Sequence, residues 1–523
     1  MIAPWDRRRF LEGVSAVAAA AVTGGCSAAG PPHGRATDHG GTGTGLDVRA
    51  ENARAGDRDW GLRSRGGDRA IEGFADRVSV LPGEEFRLLV STTDRTYRAE
   101  AFRMGWYAGA RARRVWWSPE LPGREQPAPG PQGATRTVSA ARWRPGVRVP
   151  TRGWPEGAYL VRLTAGDSGA QRYVPVTVRS RATAGRVVLV NAVATWQAYN
   201  TWGGRSLYQG PGGKADYAGR SLAVSCDRPY DRDGAPLFLT YEQPAIALAE
   251  SLGLPLAYAT SMDVDHDPDL LAGARAVVSL GHDEYWTPVM RGRVTEARDS
   301  GTNVAFLGAN ACFRRIRLEP TALGDRRLVV CYKSDWPHDP LNGKDDAAVT
   351  TDWRGPPHPR PENSLTGTLY ESNGTSAAYA VAEPGHWLLE GTGATSATRF
   401  PNLVGTEYDR VTGAPPTPRP IEIIAHSPLV CRGVRSFQDS AYYTTAGGAG
   451  VFNTGTMRWV GSLKGDGGHG MPPAAARFTR RVTANLLHAF AEGPAGRRHP
   501  ARDNLDRFRP YPGDAVAERH DLW

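Results

Sequence analysis

Alternating apolar and polar positions mark the chain from about Ile71 to Ser180. The alternating stretches are short, and turn signals such as Pro82-Gly83 separate several of them. Period-two alternation is typical of antiparallel strands with one buried face. It predicts an antiparallel β-sandwich over residues 69–182, with strands at 78–80, 85–91, 97–104, 159–163 and 173–178.

A different pattern begins at Arg186, where continuous apolar runs alternate with helical periodicity. The runs predict buried strands, and the segments between them predict helices, one of which begins at Asp267-Pro268. Strands that alternate with helices favour a doubly wound parallel sheet. We therefore predict an α/β domain over residues 183–495, with strands at 187–190, 256–260, 276–280 and 303–307 and helices at 244–252, 287–300 and 473–491.

The first 26 residues have the features of an export signal. Arg7-Arg8 is followed by Phe10-Leu11 and then by an apolar stretch at 14–22, which matches the twin-arginine pattern. The apolar stretch is far shorter than the ~20 residues of a membrane span. Cys26 stands near a lipoprotein-like cleavage site. Secretion and lipid anchoring through Cys26 both remain open, and either predicts an extracytoplasmic protein without a transmembrane span.

The amino-acid composition distinguishes residues 27–68 and 496–523 from the rest of the chain, and it argues against some classes of function. Residues 27–68 lack apolar periodicity and predict a flexible linker, and residues 496–523 predict a polar tail. The net charge is +9, but no Lys/Arg cluster with interleaved aromatic residues occurs, so nucleic-acid binding is not expected. The body has four cysteines without zinc-ligand spacing, and three disulfide pairings stay open. They are Cys226, Cys312, Cys331 and Cys431.

Several titratable and aromatic residues crowd the end of the predicted strand at 276–280. His282, Asp283, Glu284 and Tyr285 follow it directly. Ligands bind at the carboxyl ends of parallel strands in such sheets, so this crowding favours a functional site. The alternative is a polar turn that caps a helix. That alternative explains Asp283 well but explains the other three residues poorly.

Two further polar segments are expected at the same edge of the sheet as residues 282–285. The stretch 195–208 follows the strand at 187–190 and is predicted as an aromatic-rich loop, and Asn310 follows the strand at 303–307. Three polar segments at one edge of a sheet predict a pocket. The alternative is an aromatic loop that only packs on the sheet. Familiar nucleotide-binding and nucleophile-elbow motifs are absent from the sequence, and neither Cys226 nor Cys312 has the context of a nucleophile.

Seven segments together carry a resemblance to a known family: RMGWYAG, TWQAYNTWGGRSLY, SLGHDEYW, FLGANACFRRIR, RPENSLTG, VGTEYD and VFNTGTMRW. They make the chain similar to the large (β) subunit of N,N-dimethylformamidase, in particular to its C-terminal region. The resemblance covers about residues 75–490, in a scaffold that also resembles class I glutamine amidotransferases.

The resemblance implies a mononuclear ferric ion, Fe3+, bound by two tyrosinates and one glutamate. The glutamate falls on Glu284, and the tyrosines fall on Tyr199 and Tyr159. Tyr159 could instead be a core tyrosine, and Tyr208 is the substitute for either tyrosine position. Phenolate and carboxylate are hard oxygen donors that suit a highly charged cation.

The function expected from this site is hydrolysis of a non-peptide C–N bond in a small amide-like substrate. His282 is the expected general base, since two residues from Glu284 it shares a face with that residue in an extended segment. Asn310 is the expected hydrogen-bond donor, Glu407 is a further pocket residue, and Lys333 is interpreted as a surface ion-pair residue. The alternatives are a non-catalytic envelope protein that binds a small molecule or glycan, and another metal-dependent enzyme. A homo-oligomer or a small accessory subunit also remains open.

Overall fold

The structure is a computed structural model that describes residues 45–508. It is a mixed α/β protein with several sheets, which confirms the predicted class at that level. The strands are β1 (Ile71–Ala75), β2 (Ser79–Val80), β3 (Glu85–Thr92), β4 (Thr96–Met104), β5 (Ala112–Trp117), β6 (Leu121–Pro122), β7 (Pro145–Pro150), β8 (Gly157–Ala165), β9 (Gln171–Val178), β10 (Val187–Asn191), β11 (Ala223–Ser225), β12 (Leu256–Thr260), β13 (Ala276–Ser279), β14 (Tyr285–Trp286), β15 (Asn303–Phe306), β16 (Arg314–Arg315), β17 (Arg317–Thr321), β18 (Gly324–Val330), β19 (Leu369–Ala380), β20 (Arg399–Arg410), β21 (Ile421–Cys431), β22 (Val434–Thr444) and β23 (Gly450–Asn453).

The helices connect and cover these sheets. The α-helices are α1 (Val48–Asn52), α2 (Val193–Tyr199), α3 (Pro236–Tyr241), α4 (Gln243–Ser251), α5 (Ser261–His266), α6 (Pro288–Asp299), α7 (Asn363–Thr366), α8 (Arg458–Ser462) and α9 (Pro473–Ala491). Short 3-10 helices are found at Arg58–Trp60, Tyr107–Gly109, Trp202–Gly204, Lys333–His338, Asp346–Ala348, Trp387–Leu389, Gly468–Gly470, Ala495–Arg497 and Leu505–Phe508.

Two sheets form the N-terminal part of the described chain. One has the order β1-β3-β7, and the other has the order β2-β9-β8-β4-β5 with β6 paired to β4. All pairings are antiparallel except β2 with β9. Alternate residues of each strand point to the same side, and side chains of both sheets share one core. Phe86 and Val149 from the first sheet and Tyr159 and Val161 from the second belong to that core.

A seven-stranded sheet forms the centre of the second part, with the order β12-β10-β13-β15-β23-β22-β21. The first five strands are parallel, and β22 and β21 add an antiparallel pair at one edge. Helices cover both faces, which explains why the parallel strands are apolar at most positions. Leu189 packs on the face that carries α4 and α9, whereas its neighbour Val188 packs on the face that carries α6.

Two predicted elements differ from the structure. The helix expected to begin at Asp267-Pro268 is wrong: α5 ends there, because Thr260 and Asp263 form a capping box that begins the helix earlier. The stretch 195–208 is not a loop throughout, since its first residues belong to α2.

The ends of the described chain are attached to the body. In the predicted linker, the Asn52 side chain of α1 donates a hydrogen bond to Glu250 Oε2 (2.8 Å). Leu505, in the predicted tail, is buried. Cys226, Cys312, Cys331 and Cys431 are free and buried. Within residues 45–508 no helix is long and apolar enough to cross a membrane. The predicted signal and Cys26 lie outside the described residues.

Candidate functional site

The carboxyl ends of three neighbouring parallel strands carry the residues that sequence analysis singled out. Strand β10 leads into α2, which ends at Tyr199, and β13 leads to Glu284. Strand β15 leads to Asn310. Since β10, β13 and β15 are adjacent and parallel, these segments leave the sheet at one edge. Strand β20 brings Glu407 to the same place, where it contacts Asn310.

Two glycines allow the strand ends to approach each other closely. Gly281 has φ +77°, and a Cβ at this position would lie 2.4 Å from the carbonyl oxygen of Tyr241. A Cβ at Gly308 would lie 1.9 Å from the carbonyl oxygen of Gly281. A side chain at Gly281 would push the segment after β13 away from Tyr241 at the end of α3, and one at Gly308 would push the segments after β13 and β15 apart.

Backbone hydrogen bonds fix the position of Glu284. The Thr195 hydroxyl oxygen, on α2, accepts from the Glu284 N–H (3.1 Å). The N–H groups of Phe313 and Arg314 both donate to the Glu284 carbonyl oxygen (3.0 and 2.8 Å). The Glu284 backbone is thus held by elements that follow two different strands.

Two phenols converge on the Glu284 carboxylate. The Tyr199 hydroxyl donates to Oε2 (2.6 Å), and the Tyr208 hydroxyl donates to Oε1 (2.7 Å). The two hydroxyl oxygens are 3.0 Å apart, and the Tyr285 hydroxyl donates to Tyr208 (2.8 Å). We call Tyr199, Tyr208 and Glu284 the oxygen cluster. Burial, together with the negative charge of Glu284, raises the pKa of both phenols in the cluster, which favours their protonated form in the absence of a cation.

Tyr159 does not join this cluster, which corrects the assignment of the second tyrosine. Its ring lies in the sandwich core and stacks on Trp154 with ring centroids 5.0 Å apart. Its hydroxyl donates to the Pro155 carbonyl oxygen. The structure brings Tyr208 to Glu284 instead, and Tyr208 is the substitute that the sequence offered.

His282, Glu407 and Asn310 line the cluster on one side. The His282 Nε2 atom is 3.4 Å from Glu284 Oε2 and 4.0 Å from Glu407 Oε2. Neither ring nitrogen makes a hydrogen bond within the described chain, and both are buried. The Asn310 side-chain amide donates to Glu407 Oε2 (3.0 Å). The imidazole is thus close to two carboxylates and still has donor and acceptor capacity for a ligand.

The buried carboxylates differ in charge because their neighbours differ. Burial alone would raise the pKa of Glu284, but His282, Arg314 and Lys333 outweigh it and hold the pKa below its usual range. Burial raises the pKa of Glu407, and the nearby charge of Glu284 adds to the rise against the opposing effect of His282. Glu284 is therefore the ionised carboxylate, and Glu407 is the one that holds a proton more readily.

Lys333 is not a surface residue, which corrects its interpretation as half of an exposed ion pair. Its side chain is 1% exposed, and Nζ lies 3.1 Å from the centroid of the Tyr208 ring. The ring face attracts the cation, and burial lowers the pKa of Lys333 well below its ordinary value.

The donors of the oxygen cluster suit a hard cation. Two phenol oxygens and a carboxylate lie within hydrogen-bond distance of one another, and phenolate and carboxylate are oxygen donors of the type that ferric iron takes. A cation bound there would displace the phenol protons. Within residues 45–508, no group of three or more His, Cys, Asp and Glu side chains could hold a metal ion. The cluster is therefore distinguished by its tyrosines.

Comparison with known proteins decides the family. The model for N,N-dimethylformamidase beta subunit-like proteins, C-terminal region, matches residues 98–472, well over half of the chain. The chain belongs to the N,N-dimethylformamidase beta subunit-like family. The matched region includes the whole oxygen cluster as well as His282 and Glu407. The resemblance predicted from the sequence motifs is thus confirmed.

The other two comparisons give no further information about the fold or function of this dimethylformamidase-like protein. No curated protein matches the chain. A solved structure of a cycloisomaltooligosaccharide glucanotransferase from Paenibacillus sp., complexed with cycloisomaltoheptaose, is 14% identical with a TM-score of 0.14. The match covers 25% of this chain and 17% of that one, and at this TM-score it carries no argument.

Sequence reasoning missed three residues of this dimethylformamidase-like site. Arg314 Nε lies 3.4 Å from Glu284 Oε1, and Arg314 stands in the FLGANACFRRIR segment, which was available as a signal. Thr195 also lies in a quoted segment. The third is Tyr241, whose ring centroid is 5.5 Å from that of His282. It lies in none of the segments that carried the resemblance, so no sequence signal favoured its selection.

Proposed function

We propose that this dimethylformamidase-like protein is a mononuclear iron amide hydrolase that cleaves non-peptide C–N bonds. The observation that carries the proposal is the convergence of two half-buried tyrosine hydroxyls on the Glu284 carboxylate beside the His282 imidazole. Tyr199, Tyr208 and Glu284 would hold the ion. A ferric ion bound by these residues would polarise an amide carbonyl and lower the pKa of a water molecule.

The residues beside the oxygen cluster supply proton transfer. His282 Nε2 faces both Glu284 and Glu407, so it can take a proton from water and remain stabilised as an imidazolium. Glu407 is the second proton-holding group, because its raised pKa lets it take a proton that His282 gives up. Asn310 orients Glu407 through the hydrogen bond from its side-chain amide. The departing amine nitrogen would receive its proton from this His282–Glu407 pair.

The proposal is tested by loading the purified full chain with iron and measuring three quantities. We expect about one iron per chain, a visible tyrosinate-to-iron absorption band, and release of amine from a simple amide such as N,N-dimethylformamide. Iron removal with a chelator should abolish the band and the activity together, and iron should restore both. Stoichiometric zinc without a visible band would contradict the proposal.

The competing function is a non-catalytic protein that binds a small molecule or glycan on the same scaffold. It would be colourless and would hold a ligand without turning it over. An iron-loaded, coloured protein that hydrolyses no amide would favour a different iron-dependent reaction instead.

A further inference from the structure

A third tyrosine hydroxyl contacts the oxygen cluster without contacting its carboxylate. Tyr285 donates to the Tyr208 hydroxyl oxygen (2.8 Å), and Tyr208 in turn donates to Glu284 Oε1 (2.7 Å). Among the described residues, Tyr208 is the only hydrogen-bond partner of the Tyr285 hydroxyl. The hydroxyl of Tyr285 is therefore linked to the Glu284 carboxylate through Tyr208.

The protons of the three phenols are not equivalent. Tyr199 and Tyr208 each donate to a Glu284 oxygen, so a cation held by the cluster would displace these two protons. The Tyr285 proton points to Tyr208 instead, and its hydrogen bond does not use the Tyr208 proton. This hydrogen bond can therefore persist when Tyr208 becomes a phenolate, and it becomes stronger because its acceptor is then charged.

Backbone contacts and packing hold Tyr285 in this position. Its N–H donates to the Thr195 hydroxyl oxygen (3.3 Å), and the pairing of β14 with β16 places it opposite Arg314. Its ring meets the Tyr199 ring edge-on, with centroids 6.3 Å apart. The residue is 0% exposed, so solvent water does not compete for its hydroxyl.

The two phenols of the cluster differ in the hydrogen bonds that they accept. Tyr208 accepts from Tyr285, whereas no residue of the described chain donates to the Tyr199 hydroxyl. A phenolate oxygen that accepts a hydrogen bond has less electron density to give to a metal, and such partners of a ligand tune the metal. Tyr208 would therefore be the weaker electron donor of the two phenolates.

We propose that Tyr285 is a positioning residue that weakens electron donation by Tyr208 and thereby raises the Lewis acidity of the ion that the oxygen cluster would hold. This inference rests on the proposed function and adds a residue to it. A stronger Lewis acid polarises an amide carbonyl more. Tyr285 acts through Tyr208 and needs no contact with the substrate.

Tyr379 offers a matched control outside the oxygen cluster. It is also a buried tyrosine, 1% exposed, and its hydroxyl donates one hydrogen bond to a neutral hydroxyl, that of Ser440 (2.9 Å). It lies on β19, where its ring packs beside Trp459 and Phe478. Tyr379→Phe removes the same kind of hydrogen bond as Tyr285→Phe, so it reports the effect of losing a buried hydroxyl alone.

The experiment compares the full chain and its variants after iron loading. Tyr285→Phe should keep about one iron per chain, because it removes a partner of a ligand and not a ligand. The visible tyrosinate-to-iron band should move to longer wavelength and the reduction potential of the iron to more negative values, since Tyr208 then gives up electron density more readily. Turnover of N,N-dimethylformamide should fall about 10- to 100-fold. Tyr379→Phe should match the unaltered chain in every quantity.

A fluorinated tyrosine should reverse the two shifts. Tyr285→3-fluorotyrosine keeps the ring and the hydroxyl but has a more acidic proton, so it donates a stronger hydrogen bond. The band should move to shorter wavelength and the potential to more positive values. A merely structural role would not produce shifts of opposite sign in the two variants. The fluorinated variant decides the inference by itself if Tyr285→Phe does not fold.

The outcomes distinguish this inference from the proposed function. Absent or reversed shifts in the Tyr285 variants, or equal shifts in Tyr379→Phe, would overturn the inference. Loss of iron in Tyr285→Phe would also overturn it, because Tyr285 would then be a ligand. If the unaltered chain shows the band but hydrolyses no amide, the proposed function fails, and the band and the potential still decide the role of Tyr285. If the unaltered chain binds no iron, both are overturned.

Discussion

Tyr159 and Tyr208 are both tyrosines with a shielded hydroxyl, but only Tyr208 reaches Glu284. Tyr159 follows a turn into β8, where strand alternation directs its ring to the sandwich core. Tyr208 lies in a segment without regular structure, whose path is set by long-range contacts. The sequence could place Tyr199 and Glu284, because both lie in the segments that follow buried parallel strands. It could not identify Tyr208 as the second tyrosine, because the position of Tyr208 depends on long-range contacts that no local pattern reveals.

A pair of phenylalanine variants tests this correction at the residue scale. Tyr208→Phe removes one of the three oxygens and should lower bound iron at least ten-fold, together with the visible band. Tyr159→Phe removes only the hydrogen bond to Pro155, so it should keep the iron and cost about 1 kcal/mol of unfolding free energy. Metal analysis, absorption spectra and denaturant titrations measure these effects. Iron loss in Tyr159→Phe with full iron in Tyr208→Phe would reverse the assignment.

Replacement of His282 separates proton transfer from metal binding. His282→Ala leaves the oxygen cluster intact, so the iron content should stay the same. Turnover of a simple amide should fall by ~10²–10⁴, which is the usual contribution of a general base. Loss of iron in this variant would mean that the imidazole is a ligand. Unchanged turnover would identify His282 as structural and would make Glu407 the first candidate for the base.

Helices and strands were predictable to different degrees, and α2 shows why. Apolar runs and cap residues located β10, β13 and α6 within a residue or two at each end. Helix α2 has no side-chain N-cap and no apolar periodicity. It is held instead by Glu242, which accepts hydrogen bonds from Asn191, Ala192 and Trp196. Such a tertiary contact overrides local propensity and cannot be read from the segment itself.

The hairpin of β19 and β20 was also beyond sequence pattern. Its register shifts at three places, and each shift breaks the period-two alternation that would have marked the strands. Glu407, which lies in β20, was therefore found through the family resemblance alone.

Glu242 supports the proposed metal ligand Tyr199 through α2, and this can be tested. Burial raises the pKa of Glu242 well above its ordinary value, which favours a neutral side chain similar to that of glutamine. Glu242→Ala should cost about 1–3 kcal/mol of unfolding free energy for each buried donor left unpaired and should weaken iron binding. Glu242→Gln keeps an acceptor and should be close to the unaltered chain in both respects. Equal iron affinity in the Ala variant would show that α2 is held by other contacts.

For the whole molecule, the sequence predicted two kinds of architecture but not the joint between them. The change from alternating to continuous apolar runs near Arg186 separates them along the chain. The joint depends on pairs such as Arg103 with Glu250, which are 147 residues apart. Glu51 and Tyr107 extend this joint through further hydrogen bonds. No local pattern reveals such partners.

Export is a proposal at the same scale, since Arg7-Arg8 lies outside the described residues. We expect the full precursor to reach the extracytoplasmic side through the twin-arginine route. Replacing both arginines by lysines should leave the precursor in the cytoplasm with its body folded. Fractionation of cells that express each form measures this outcome. Unchanged export would indicate the general secretory route.

The joint between the two parts should make the chain unfold as one unit. Arg103 and Glu250 are fully buried, and Glu250 accepts from both Arg103 Nη atoms and from the Asn52 side chain. Glu250→Gln would leave the Arg103 charge unpaired in the interior, which typically costs 3–5 kcal/mol. We expect a loss of about that size in a single denaturant transition monitored by fluorescence and circular dichroism.

Two comparisons make this last prediction specific. The exposed pair Arg95–Asp167 should contribute little, so Arg95→Gln should leave the transition where it is. The double variant Arg103→Met, Glu250→Met removes both charges and should be less destabilised than Glu250→Gln, because apolar side chains can fill a buried ion-pair site without leaving a bare charge. Two separate transitions in the unaltered chain, or a double variant worse than Glu250→Gln, would show that the two parts are not held together by this ion pair.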